Sequence, residues 1–458
     1  NPIGHGVEDF KYRFQWNFPI FFSPHDPDKL YAASNHLHVT TNEGQSWEVI
    51  SPDLTRDEPE KQVSSGGPIT QDNTGVEYYA TIFAACESPY EEDLLWTASD
   101  DGRVNLSKDG GETWTEVTPP SAPKNLMWNS IDPDPFTKGG VYLAGTLYKA
   151  GDYRPYLFRS KDYGKTWVKI INGIPADHFT RVVRADPDRQ GLLYAGTEFG
   201  VFISFDDGAS WSSMQLDLPI TPVTDMVVKD KNLAIATQGR GVYILDDLSV
   251  FHQLTSSVTE DVICLLKPTD AYRMGAFNGK RKPPKSAGEN HHNGVQFFFN
   301  INQAISSEDT VTFELLEKDG SLIRKFSSKA EEKKDSLTAE QGSNSFVWDM
   351  RYPNAEGFPG MILWAGGLAG PKALPGEYKA RLSMNGEQVE TDFTILADPR
   401  STSSIEDLKV QFDFVQQSND KLSETHKAIK DIRAIRGQLK DLSARLEDDS
   451  VHQKIKDQ

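Results

Sequence analysis

The sequence predicts a mainly β protein: a partial β-propeller of about five blades, then an immunoglobulin-like β-sandwich, then a C-terminal helical segment. Three observations support this prediction. A short motif occurs four times in the first half of the chain, and a short apolar strand precedes each copy. In the second half, the hydrophobic pattern changes from strict alternation to helical spacing.

The repeated motif has the pattern S/T-x-D/N-x-G-x-S/T-W and is typical of the Asp-box, or BNR, hairpin. In such a turn the Asp or Asn accepts hydrogen bonds from its own loop, the Gly supplies a positive φ, and the Trp anchors the hairpin. Four copies in register predict a repeat architecture. We expect structural roles for the Asp-box residues Asn42, Trp47, Asp109, Trp114, Asp162, Trp167, Asp206 and Trp211.

The motifs divide residues 1–250 into units of blade size. Each unit is predicted to have four antiparallel strands, with the Asp-box between the third and the fourth. A fifth unit, residues 233–245, keeps the strands and lacks the box. An open propeller of five such blades would leave two long strand edges exposed. We therefore expect further blades, either upstream in the same chain or supplied by a second polypeptide.

After residue 247 the pattern changes to alternating strands separated by Gly and Pro. Over residues 262–397 this pattern predicts an immunoglobulin-like sandwich. Over residues 402–458 apolar residues recur at a spacing of three and four, and Ser404 with Asp407 predicts an N-terminal helix cap. The apolar stripe needs a partner, so we expect this segment to be truncated and to pack on the sandwich or in a dimer.

Bulk composition argues against several classes of function. The net charge of -19 argues against nucleic-acid binding, which needs a basic surface. No apolar run approaches the ~20 residues that cross a bilayer. We found no metal-ligand spacing, nucleophilic triad or phosphate-binding loop, so we predict neither a metal nor a cofactor.

Five further segments carry a resemblance: RFQWNFPI at 13–20, GVEYY at 75–79, DHFTRVV at 177–183, GLLYAGTEFGV at 191–201 and FVWDMRYP at 346–353. They resemble the large bacterial sortilin-like BNR-repeat proteins, which are often labelled glycosyl hydrolases. The resemblance covers essentially the whole chain. It implies a secreted, periplasmic or cell-surface protein with a sortilin-type propeller, an immunoglobulin-like domain and a helical tail. It indicates architecture far better than chemistry.

Ligand-binding candidates come from the loops that emerge around the central channel on one face of such a propeller, here called the top face. Aromatic rings suit sugars, and arginines suit carboxylates or a peptide terminus. His178 beside Asp177 is either a general acid or base, or a packing residue whose tautomer Asp177 fixes. The candidates are Trp16, Asn17, Tyr78, Trp128, Tyr148, Arg154, His178 and Arg240.

Glycoside hydrolysis would need two carboxyl groups flanking the scissile bond. The candidate carboxylates are Glu77, Asp100, Asp101, Asp177 and Glu198. Each also suits a solvated loop or a turn cap, so the sequence assigns no catalytic residue and leaves open whether the protein is an enzyme.

Three functions remain open from the sequence. The first is a secreted or periplasmic scaffold that holds a peptide, a protein or a glycan on the top face. The second is a glycoside hydrolase acting on polysaccharide, similar in blade type to xyloglucanases. The third is a subunit of a cell-surface assembly in which another polypeptide completes the propeller.

Overall fold

The computed structural model describes residues 6–7, 10–67, 69–71, 73–255, 257–274, 288, 291–364, 366–445 and 453–454. The chain forms two compact units, Asn1–Leu248 (unit 1) and Ser249–Gln458 (unit 2). Unit 2 begins with two short helices, α1 (Ser249–Gln253) and α2 (Ser257–Glu260).

Unit 1 consists of five antiparallel sheets, here called blades 1 to 5, each with its strands hydrogen-bonded in sequence order. Blade 1 contains β1 (Ile20–Phe22), β2 (Leu30–Ala33), β3 (Leu37–Thr40) and β4 (Glu48–Val49). Blade 2 contains β5 (Ile82–Glu87), β6 (Leu95–Ser99), β7 (Val104–Ser107) and β8 (Thr115–Glu116). Blade 3 contains β9 (Met127–Pro133), β10 (Val141–Leu147), β11 (Asp152–Ser160) and β12 (Val168–Lys169). Blade 4 contains β13 (Thr180–Ala185), β14 (Leu193–Thr197), β15 (Gly200–Ser204) and β16 (Ser212–Ser213), and blade 5 contains β17 (Val223–Lys229), β18 (Asn232–Thr237) and β19 (Gly241–Leu245).

Neighbouring blades pack through the apolar sides of their strands. Between blades 1 and 2, the side chains of Tyr31, Leu37, Ile82 and Leu95 are fully buried. The second strands of blades 2 and 4, with the sequences LWTAS and LYAGT, are buried at every position, which explains why they contain no charged residue. Burial of each large apolar side chain stabilises the unit by about 1.5–3 kcal/mol. The predicted partial propeller of about five blades is confirmed.

The four Asp-box hairpins share one hydrogen-bond pattern. Asp109 Oδ1 accepts the backbone N–H of Thr113 at 2.9 Å and the hydroxyl of Ser107 at 2.7 Å. Equivalent bonds join Asn42 to Ser46 and Thr40, Asp162 to Thr166 and Ser160, and Asp206 to Ser210 and Ser204. All of these partners lie within four residues of the carboxylate or amide, so each turn is closed by its own sequence.

The tryptophan and the glycine of a box also reach the preceding blade. Trp114 Nε1 donates to the Ile50 carbonyl oxygen at 3.1 Å, and a Cβ atom at Gly111 would lie 2.6 Å from that same oxygen. The indole bond recurs from Trp167 to the Val117 carbonyl oxygen and from Trp211 to the Ile170 carbonyl oxygen, each at 2.9 Å. A Cβ atom at Gly164 or Gly208 would meet the side chain of that same Val117 or Ile170, at 2.7 and 2.6 Å. We call this pair of contacts to one residue of the preceding blade the box contact. Three of the four boxes therefore fasten one blade to the blade before it.

The two end blades each keep an uncovered apolar face. Trp47, in the first box, is 42% exposed, and its indole N–H has no hydrogen-bond partner among the described residues. On blade 1, Ile20 and Phe22 are more than half exposed. We call Ile20, Phe22 and Trp47 the blade-1 face. The blade-5 face consists of Val227, Val242 and Ile244, which are also more than half exposed.

Unit 2 is a sandwich of two sheets with a shared aromatic core. The smaller sheet pairs β20 (Ile263–Leu265), β22 (Val295–Ile301) and β25 (Gly342–Trp348). The larger sheet has the order β21 (Ala271–Tyr272), β27 (Glu387–Leu396), β26 (Gly376–Met384), β23 (Val311–Glu317) and β24 (Leu322–Ser327). Phe297, Phe313, Trp348 and Phe393 are fully buried between the sheets. The predicted β-sandwich is confirmed, and its assignment to the immunoglobulin-like type stays a prediction.

A long helix, α3 (Ile405–Arg445), follows the sandwich. Ser404 and Asp407 form the predicted reciprocal cap: Ser404 N–H donates to Asp407 Oδ2 at 3.0 Å, and Asp407 N–H donates to Ser404 Oγ at 3.1 Å. The predicted helical segment extends to residue 458, but residues 446–452 and 455–458 lie outside the described part of the chain. Among the described residues, we find no helix that is both long enough and apolar enough to span a membrane.

Candidate functional site

The candidate site is the central channel of unit 1. The cavity has a volume of about 690 Å³ and is lined by residues from all five blades. That volume falls within the range of small-ligand sites, about 300–1,000 Å³. Of the residues predicted from sequence, the channel contains Asn17, Asp100 and Tyr148. Its charged lining residues are Asp100, Lys149, Arg181, Arg184 and Asp225.

Asp100 lies in the turn after β6 and is only 6% exposed. Thr81 holds it there: its backbone N–H donates to Asp100 Oδ1 at 2.8 Å, and its hydroxyl donates to Oδ2 at 3.1 Å. Burial raises the pKa of the Asp100 carboxyl from 3.8 to about 7, and the charge of neighbouring Asp101 adds to the effect against the opposing Thr81 bonds. Asp100 can therefore hold a proton near neutral pH and release it during a reaction.

Asp225, on β17 of blade 5, is the second carboxylate lining the channel. Arg184 Nη2 donates to Asp225 Oδ1 at 2.6 Å. The same guanidinium donates to the Ser130 hydroxyl at 2.7 Å and to the Met226 carbonyl oxygen at 2.7 Å. Arg184 thus ties blades 3, 4 and 5 together and forms a salt bridge with Asp225.

An aromatic stack borders the channel beside blade 4. The rings of Tyr148 and Phe179 lie 5.0 Å apart and nearly parallel. The Arg181 guanidinium lies 5.4 Å from the Tyr148 ring centre, and its Nη2 pairs with Glu198 Oε2 at 2.7 Å. Glu198 therefore serves as the partner of Arg181, which fixes the orientation of the stack.

Trp16 and Glu77 form an exposed pair outside the channel lining. Trp16 is 69% exposed, and its indole N–H donates to Glu77 Oε1 at 3.1 Å. An exposed indole face of this kind can stack on a sugar ring. Ligand contact at Trp16 and Glu77 stays a prediction.

Three predicted site residues are buried, which corrects their expected position on the top face. Trp128 is completely buried against Phe158, with ring centres 5.7 Å apart. Tyr78 is 9% exposed and stacks on Phe10. Asp101 is 1% exposed and accepts the backbone N–H of Arg56 at 2.7 Å. The core shared by blades 2 and 3 buries Trp128, and the loop that contains Phe10 covers Tyr78. Asp101 instead joins two loops through Arg56, and burial raises its pKa.

The remaining predicted residues lie outside the channel lining. His178 Nδ1 contacts Asp177 Oδ1 at 2.8 Å, and the imidazole packs 4.5 Å from the Phe199 ring centre. The hydrogen bond to His178 lowers the pKa of the exposed Asp177 carboxyl. Asp177 is therefore a poor candidate for a general acid at neutral pH. Arg154 forms a two-point pair with Asp152, and Arg240 is exposed in the turn before β19.

Sequence reasoning missed Arg184 and Asp225. Each lies on the innermost strand of its blade, whereas the candidates named from the sequence come from predicted loops. The available signal was a charged side chain interrupting an apolar inner strand, as in Thr180–Ala185 and Val223–Lys229. The side chain of Arg184 is only 22% exposed and needs a partner, which Asp225, with a side chain 64% exposed, supplies from the next blade.

No known family profile matches the chain. It is 28% identical over 139 residues to Xyloglucanase Xgh74A of Acetivibrio thermocellus, covering 27% of this chain and 16% of the relative. It is 27% identical over 198 residues to a xyloglucanase of a Paenibacillus species, covering 33% and 19%. The chain therefore spans less than a fifth of the length of these relatives.

Two solved structures are similar in part. The GH74 xyloglucanase from Xanthomonas campestris has a TM-score of 0.36 and 16% identity, covering 52% of this chain and 34% of that chain. The Niastella koreensis GH74 enzyme has a TM-score of 0.38 and 13% identity, covering 86% and 54%. At this level the superpositions carry no argument of their own. The sortilin-like resemblance is not among these similarities and stays a prediction.

Proposed function

We propose that this chain is a carbohydrate-acting β-propeller protein that binds a polysaccharide at its channel and hydrolyses a glycosidic bond there. The observation that carries the proposal is the partial sequence similarity to two xyloglucanases. The carboxylates of the channel support it. The hydrolase, one of the three functions open from sequence, is therefore favoured over the binding scaffold.

In the proposed reaction, Asp100 is the general acid. It donates its proton to the glycosidic oxygen as the bond from that oxygen to the anomeric carbon breaks. Asp225 is the second carboxylate, because it lines the same cavity from blade 5 and Arg184 holds it in place through a hydrogen bond of 2.6 Å. It either takes a proton from the attacking water or attacks the anomeric carbon itself. The separation of the two carboxyl groups decides between inversion and retention.

The proposed substrate is a neutral polysaccharide of the β-glucan class. Arg181 and Arg184 are both paired with carboxylates, so neither is free to bind an acidic sugar. The third cation of the lining, Lys149, acts electrostatically on Asp100. Asn17 and Asn129 line the channel and offer amide groups to sugar hydroxyls. Tyr148 offers an aromatic ring at the same wall. Because such polymers lie outside the cell, a secreted, periplasmic or cell-surface location is part of the proposal.

An assay of hydrolysis on xyloglucan and on unbranched β-glucans tests the proposal. The release of reducing ends measures the rate. We expect Asp100→Asn and Asp225→Asn to lower the rate at least ~10²-fold, because each removes one of the two carboxylates. Asp177→Asn is the matched control, since this exposed carboxylate lies outside the channel lining. Binding without hydrolysis would favour the scaffold function, and neither binding nor hydrolysis would overturn the proposal.

A second proposal concerns the partners of unit 1: further blades cover the blade-1 and blade-5 faces. The supporting observation is Trp47, which lacks the box contact that the three later boxes make. These blades come from the same polypeptide or from a second one, as in a cell-surface assembly. The intact mass of the protein as isolated, under native and denaturing conditions, tests this. A lone species of 51.2 kDa in both would argue against it.

A further inference from the structure

The first two thirds of α3 lie against the loop that follows β25. The Tyr352 and Phe412 rings meet edge to face with centres 4.8 Å apart. Near the other end of this contact, Arg433 Nη1 donates to the Pro359 carbonyl oxygen at 2.9 Å. The helix continues for three more turns to Arg445. In and next to these turns, Ile432, Ile435 and Leu442 are each more than half exposed.

The apolar residues of this last part follow a heptad. Ile432, Ile435, Leu439 and Leu442 are spaced by three, four and three residues, which corresponds to positions a, d, a and d. We call these four residues the α3 seam. Gly437 occupies the outermost position of the heptad, and a Cβ atom there would meet nothing within 4 Å. This spacing is typical of a helix that pairs with another helix along one narrow stripe.

The charges beside the seam are complementary between two copies of the chain. Asp431 is at position g and Arg436 at position e of the following heptad. In a parallel two-stranded coiled coil, position g of one helix faces that position e of the other. Within the described residues, neither side chain has an ion-pair partner in its own chain. Two such pairs would form across a symmetric dimer.

We propose that the α3 seam pairs with the seam of a second copy of this chain, as a short parallel coiled coil. The dimer would contain two copies of the propeller channel. A dimer of this kind gains avidity on a repetitive polymer, because binding of one channel raises the effective concentration at the other. That consequence rests on the proposed function, whereas the dimer itself does not.

Sedimentation equilibrium of the whole chain over a wide concentration range tests the proposal. We expect a reversible monomer–dimer equilibrium whose limiting mass is twice 51.2 kDa. Ile435→Asp with Leu442→Asp should abolish it, and the helix signal of unit 2 should persist because both positions are exposed. Lys440→Ala, which lies outside the seam and its flanking positions, is the matched control and should dimerise normally. A wild-type chain that stays monomeric, or a dimer that survives the double change, would overturn the proposal.

A charge exchange tests the parallel arrangement separately. Asp431→Arg and Arg436→Asp should each weaken dimerisation at least about tenfold, since each places two like charges across the seam. The double variant should restore it. An antiparallel pair would set Asp431 opposite Arg445 instead, so a double variant that stays weak would overturn the parallel coiled coil. Loss of hydrolysis in the Asp100→Asn variant leaves this result unaffected.

Discussion

The first box of unit 1 has the same motif as the three later boxes, yet among the described residues it makes no contact with a preceding blade. Trp114, Trp167 and Trp211 each donate to a carbonyl of the preceding blade, whereas Trp47 does not. Gly111 touches the preceding blade, and Gly44 touches only the Trp47 ring. The turn of the box therefore forms from its own residues, whereas the packing of its Trp and Gly requires a neighbouring blade.

This separation explains how a propeller can be extended blade by blade. The hydrogen bonds of the turn are complete in the first hairpin without any neighbour. The Trp and Gly of that hairpin remain available for one more blade. Each box thus contains the residues that close its own turn and the Trp and Gly that can contact a preceding blade.

The largest expected effect is a contrast between two tryptophans. Trp211→Ala should lower the free energy of unfolding of unit 1 by roughly 3–5 kcal/mol, because this ring is 4% exposed and bonded to Ile170. Trp47→Ala should lower it by only about 1 kcal/mol, because that ring is partly exposed and unbonded. Urea denaturation of both variants measures the difference. Equal losses would show that the blade-1 face is covered in the chain in solution.

Stability should depend on pH differently at buried Asp100 and at exposed Asp177. The unfolded chain loses the Asp100 proton near pH 3.8, and the folded chain keeps it to about pH 7, so stability falls as pH rises between these values. The full loss is on the order of 4 kcal/mol at most. Asp100→Asn should flatten this part of the stability curve, whereas Asp177→Asn should not. Denaturation midpoints measured across this window, from about pH 4 to about pH 8, check the slopes. An unchanged slope in Asp100→Asn would contradict the burial argument.

The box glycines give a smaller contrast. Both Gly111 and Gly44 have positive φ, of 102° and 80°, so alanine is strained at either site by roughly 1–2 kcal/mol. Gly111→Ala should cost about 1–3 kcal/mol more, because its Cβ would lie 2.6 Å from the Ile50 carbonyl oxygen. Thermal unfolding compares the two variants. A Gly44→Ala chain that unfolds as early as Gly111→Ala would remove the distinction between interior and end boxes.

The smallest effect is expected at the blade-5 face. Val242→Thr with Ile244→Thr should change the stability of the isolated chain by no more than about 0.5 kcal/mol, because both side chains are exposed. The same change should reduce binding of a hydrophobic dye, since it removes apolar surface. Equivalent substitutions at buried Leu193 and Ala195 of blade 4 are the interior control. Large destabilisation at the blade-5 face would mean that it is already covered.

Features set by neighbouring residues could be predicted from the sequence. The Asp-box turns, the alternating strands of the sandwich and the Ser404–Asp407 cap all depend on partners within a few residues. The number of blades followed from counting the repeats.

Features set by blade packing could not be predicted in the same way. Trp128 is buried by Phe158, thirty residues away, and Asp101 is tied to Arg56. Arg184 and Asp225 can be identified as channel residues only from the contacts that join blades 3, 4 and 5 around one channel. Loop position alone therefore does not distinguish a channel residue from a core residue.

The central claim is that the channel hydrolyses a polysaccharide with Asp100 as its acid. The most direct test is the pH dependence of the initial rate of xyloglucan hydrolysis, for the wild-type chain and for Asp100→Asn. We expect the wild-type rate to fall as the pH rises above about 7, where Asp100 loses its proton, and the variant to lose both the rate and this dependence. An Asp100→Asn chain that keeps the wild-type rate and pH profile would contradict the claim.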